Sequence, residues 1–133
     1  MSLQLLITLV IQICLCSTLV HFPTRLFVKP GDDFDLTCQI DFEGVIDKIY
    51  DPNEYIPSGR ELEAESQLIP SHRFQEEDAR VESVQYTGAT VKEHQGYYTC
   101  VTYRQTGFPR VETATCYVIV GDPCEDVTCP PLD

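Results

Sequence analysis

The chain has 133 residues, a formal net charge of −12 and seven cysteines. That length fits one domain, and that acidity argues against nucleic acid or an anionic membrane surface as partners, since both repel a negative protein. A basic patch on another protein is compatible with it.

From Leu3 to Leu15 the sequence is largely apolar and carries no charge, ending in small residues around Cys16-Ser17-Thr18. Such a run is too short and too near the first residue for a comfortable membrane span. Residues 1–17 are therefore expected to be a cleaved secretory signal, with an uncleaved anchor as the alternative because the usual preceding positive charge is missing. No second apolar run follows, and Pro130-Pro131-Leu132-Asp133 is not a lipid-anchor signal. The expected mature product is secreted and extracellular, with no membrane insertion. Asn53 is followed by Glu54-Tyr55, so it is no N-glycosylation acceptor.

Beyond residue 17 the periodicity favours strands. Leu26-Phe27-Val28 leads into the turn Lys29-Pro30-Gly31, after which Phe34, Leu36 and Cys38 alternate with Asp35 and Thr37. Alternation of this kind marks a half-buried strand. Val45-Ile46 and Ile49-Tyr50 form the next apolar stretch, closed by Asp51-Pro52-Asn53. A helical turn is expected between Glu61 and Leu68, which has helix formers and little apolar period. Arg73-Phe74 and then Val81 to Tyr86 look strand-like around the acidic turn Glu76-Glu77-Asp78. Tyr98, Cys100 and Thr102 alternate with Thr99, Val101 and Tyr103, the turn Gln105-Thr106-Gly107-Phe108-Pro109 follows, and Val111 to Val120 is the longest strand pattern. Cys124 and Cys129, five apart in a segment with neither period, are expected to close a small loop in a tail over residues 121–133.

Three segments together carry a resemblance. Val28-x-x-Gly31-x-x-Phe34-x-Leu36-x-Cys38, Gly96-x-Tyr98-x-Cys100 and Ala114-x-Cys116-x-Val118-x-Val120 resemble the first, penultimate and last long strands of the immunoglobulin superfamily, intermediate or C2-like sets. The likeness spans residues 22–120. It implies an all-β, immunoglobulin-like β-sandwich with a short irregular cysteine-bearing tail. It implies an inter-sheet disulfide between Cys38 and Cys100 and a tyrosine corner built on Gly96 and Tyr98. Two departures stand out. His94 occupies a position where the family usually has Asp, and the chain has no tryptophan, so Tyr50 is expected to take the core position against the disulfide. Signal, single domain, cysteine-bearing tail and no anchor also resemble the nematode one-immunoglobulin-domain proteins, which implies a role in neuronal wiring, cell adhesion or synapse organisation.

Cys116 falls at an inward position and is expected to be a buried thiol, with a bridge to the tail or to another chain as alternatives. The same alternation turns Val101, Tyr103, Tyr117 and Ile119 outward on neighbouring strands. Two tyrosines and two aliphatics on one outer face make a candidate protein-binding patch, unless a long loop, the tail or an extra strand covers them. Phe108, beside Pro109 and Arg110 in the turn, is a second candidate anchor, the alternative being that it folds back onto the sheet edge.

Catalysis has little support. His21, His72 and His94 lack ligand-like spacing, Asp32-Asp33-x-Asp35 lacks the later bidentate glutamate of a calcium loop, and no phosphate-cradling glycine loop is present. No catalytic residue, metal site or cofactor is expected. The sequence thus points to a recognition module for an extracellular or cell-surface protein, with homodimerisation left open. A soluble antagonist or decoy of an immune or growth-factor receptor is the alternative. A protease-inhibitor-like tail is a third reading, weakened because the tail ends before a third cysteine.

Overall fold

The structure is a computed structural model and describes residues 19–121; the signal segment 1–17 and the Cys124–Cys129 loop lie outside the described residues. The chain folds as an all-β sandwich. One sheet holds β1 (Val20–His21), β3 (Phe34–Ile40) and β5 (Val81–Tyr86), with β3 in the middle. The other has the order β2 (Arg25–Val28), β7 (Val111–Val120), β6 (Gly96–Arg104), β4 (Gly44–Tyr50). All pairings are antiparallel except β2 with β7.

Alternation in β3 buries Leu36, Cys38 and Ile40 and leaves Asp35, Thr37 and Gln39 in solvent. From the facing sheet, Ile46, Ile49, Tyr98, Cys100, Cys116, Val118 and Val120 complete one apolar cluster between the layers. Cys38 and Cys100 are joined there by a disulfide spanning 62 residues of sequence. Cys116 is a buried free thiol, and burial pushes its pKa up to about 11.

Tyr50 does not take the position against the disulfide. The register of β4 on β6 shifts between Ile46 and Lys48, and such an irregularity moves every later side chain to the opposite face. Ile49 therefore points into the disulfide cluster and Tyr50 into a second cluster outside the sheet. Aliphatic side chains take the place of the missing tryptophan. Arg73-Phe74 is a second departure from the sequence reading, lying in a 3₁₀ turn rather than a strand.

Tyr98 ties β6 to the turn that precedes it. Tyr98 Oη donates to the His94 carbonyl at 2.6 Å, and burial holds the phenol above its usual pKa. His94 ends a short helical turn, α2 (Val91–His94), capped by Thr90, whose Oγ1 accepts the Glu93 N–H at 3.1 Å. Its Nδ1 accepts the Thr90 N–H at 2.9 Å, and its ring lies edge-on to Phe34 at 5.8 Å. An imidazole thus fills the position where the immunoglobulin superfamily usually has Asp. Gly96 follows with φ of 144°, and a Cβ there would lie 2.9 Å from Pro52. Conformation and space both require glycine at that point. Tyr98→Phe will remove the donor to the half-buried His94 carbonyl and will lower stability by about 1 kcal/mol. Urea unfolding followed by circular dichroism measures it, and an unchanged midpoint would show the corner hydrogen bond to be dispensable.

Candidate functional site

The outer face of the four-stranded sheet is divided in three, because the chain between β4 and β5 folds back over its middle. That segment begins with α1 (Gly59–Ser66), capped by Ser58, whose Oγ accepts the Glu61 N–H at 3.2 Å. It continues through 3₁₀ turns at Ser71–Gln75 and Glu77–Arg80. Leu62, Phe74 and Ala79 from this cover pack with Val45, Tyr50, Val101 and Tyr103 of the sheet in the second apolar cluster.

Val101 and Tyr103 are consequently 0% and 1% exposed. They lie on the outer face, as alternation required, but beneath the cover, so the sequence reading of them as a contact surface is corrected. Burying two such side chains stabilises the cover by a few kcal/mol. The Tyr103 hydroxyl donates to Glu65 Oε2 at 3.3 Å, and burial with the nearby carboxylates of Asp47 and Glu65 raises its pKa.

Tyr117 and Ile119 lie beyond the cover, at the end of the sheet away from the β6–β7 turn, and are half-buried. Tyr97 of β6 stands opposite Tyr117, with ring centroids 4.7 Å apart, and is 65% exposed. On β2, Arg25 is in register with Tyr117 and Phe27 with Ile119. Arg25, Phe27, Tyr97, Tyr117 and Ile119 therefore share one outer strip. Of these, Tyr117 and Ile119 were singled out in the sequence. Tyr97 was not singled out, and the parallel pairing that brings Phe27 and Arg25 alongside has no local sequence signal.

Phe108 sits at the opposite end, in the β6–β7 turn, and is 94% exposed. It does not fold back onto the sheet. Eight residues lie between Phe108 and Tyr117 along the chain, most of them in β7, a separation of about 25–30 Å at strand rise. The turn and the tyrosine strip are thus distinct surfaces.

Among the described residues, no helix is long and apolar enough to cross a membrane. Comparison of the chain with known protein-family models and with curated proteins finds no match. Fold and surface chemistry alone carry the functional reading.

Proposed function

We propose that this chain is a secreted immunoglobulin-superfamily recognition module that binds a cell-surface or matrix protein and acts in neuronal wiring or synapse organisation. The observation that carries the binding role is the Tyr97–Tyr117 pair on a sheet face, Tyr97 exposed and Tyr117 half-buried, flanked by Phe27, Ile119 and Arg25. Tyrosine and arginine dominate the energetics of protein interfaces, and a rigid sheet presents them at small entropic cost. The inter-sheet disulfide and the tyrosine corner support the superfamily assignment.

The double variant Tyr97→Ser/Tyr117→Ser tests this reading. Tagged mature protein will bind the surface of intact neurons in tissue, and the variant will bind at least tenfold more weakly, since each hot-spot aromatic contributes about 1 kcal/mol or more. Its secretion and its non-reducing peptide map will match those of the parent. Undiminished binding by the variant would overturn the assigned face. Binding confined to leukocytes or growth-factor receptors would instead favour a receptor antagonist.

A further inference from the structure

A cleft of about 480 Å³ opens where the cover meets the edge strand β4, away from the tyrosine strip. Val45, Leu68, Ile69 and the edge of Tyr103 give it apolar walls, and Asp47, Glu65, His72 and Arg73 line the rest. Leu68 is 80% exposed at its mouth. An isolated exposed leucine needs no explanation, but one bordering an apolar cleft adds to a continuous contact surface.

Carboxylates outnumber fixed cations along this cleft, Asp47 and Glu65 against Arg73. Asp47 accepts the Tyr50 hydroxyl at 3.0 Å, and Glu65 accepts the Tyr103 hydroxyl. Neither carboxylate forms an ion pair with a cation among the described residues. The basic side chains that line the cleft are engaged elsewhere: Arg73 bonds to Glu76, and His72 Nε2 lies 3.9 Å from the same carboxylate. Both Asp47 and Glu65 act on the same two phenols. Burial first, and then these carboxylates, push Tyr50 up to about 12 and Tyr103 further. Negative potential is therefore concentrated in a cleft with low-polarity walls, on a chain whose overall charge is −12.

We propose that this cleft seats an arginine side chain of a protein partner, its aliphatic stem on Leu68 and Ile69 and its guanidinium at Asp47 and Glu65. Charge complementarity selects a cation, and the apolar walls select one carried on a hydrocarbon stem. Arginine fits better than lysine because its planar fork meets carboxylates through paired hydrogen bonds and it sheds water more readily. The inference concerns a surface separate from the Tyr97–Tyr117 strip and does not depend on it.

The test is a titration of the isotope-labelled mature chain, followed by amide chemical shifts. The probe is n-butylguanidinium, with n-butylammonium and n-pentanoate as comparisons at matched ionic strength. Butylguanidinium will shift the amides of Val45–Asp47 and Glu65–Ile69 saturably with a Kd on the order of 1 mM, as suits so small a ligand. Butylammonium will bind more weakly and pentanoate will leave these amides unmoved. Asp47→Asn/Glu65→Gln will weaken butylguanidinium by about tenfold or more. Leu68→Lys, at an exposed position where folding is not at stake, will place a competing cation at the mouth and abolish the saturable shift. The proposal is overturned by absence of saturation up to about 50 mM, by equal effects of pentanoate, or by butylammonium binding as tightly as butylguanidinium. An unaltered response in Leu68→Lys would overturn it as well.

Discussion

The double variant Cys38→Ala/Cys100→Ala will lose about 4 kcal/mol of folding stability. Its urea midpoint will fall by about 2 M at the denaturant dependence usual for a domain of this size. The magnitude follows from the 62-residue separation of the bridged cysteines. Joining distant points removes conformations from the unfolded chain, and the entropy removed grows with the logarithm of the loop length. Small domains have only about 5–15 kcal/mol in total, so the variant will approach the limit of folding. Alanine at both positions is the right comparison. Either single variant would leave one sulfur in the apolar cluster that also holds Cys116. A midpoint equal to that of the parent would show that the sandwich does not depend on its cross-link.

The strands that carry the bridge are visible in the sequence, because the residues that flank each cysteine alternate with period two, while the pairing itself is what the resemblance implies. The same is true of β5, whose bounds Val81–Tyr86 match the pattern read from the chain. What escaped the sequence has a common physical cause. Local periodicity reports which face a residue occupies, but not what lies on that face. The apolar residues of the cover, Leu62, Ile69, Phe74 and Ala79, follow no single period, since the chain passes from an α-helix through two 3₁₀ turns. One register shift within β4 was enough to exchange the roles of Ile49 and Tyr50. Of the candidate site residues, Phe108 was left between exposure and folding back, and it is exposed in a glycine-containing turn. The outward orientation of Tyr117 and Ile119 was legible, and the coverage of Val101 and Tyr103 was not.

Phe74→Ala will release the cover from the sheet while leaving the sandwich folded. Truncating a buried phenylalanine costs about 3–5 kcal/mol through lost burial and the cavity left behind, and Phe74 is almost wholly enclosed in the outer cluster. That cluster is separate from the one containing the disulfide, so the loss falls on a unit with few other ties. Its polar links to the sheet and the adjoining turn include Tyr103 to Glu65 and Gln75 to Gln105, each 3.3 Å long and each between side chains. Structural units of this kind open below the global unfolding free energy. Hydrogen exchange will therefore speed up at Leu62 and through residues 71–80, while the amides of β3 and the disulfide-bearing part of β6 keep their protection. Uncovering Val101 and Tyr103 will also join the middle of the outer face to the Tyr97–Tyr117 strip, producing an apolar surface large enough to drive association. Light scattering will rise in step with the exchange. A uniform loss of protection across both sheets would mean instead that cover and sandwich fold as one cooperative unit, with the outer cluster as much a part of the core as the inner.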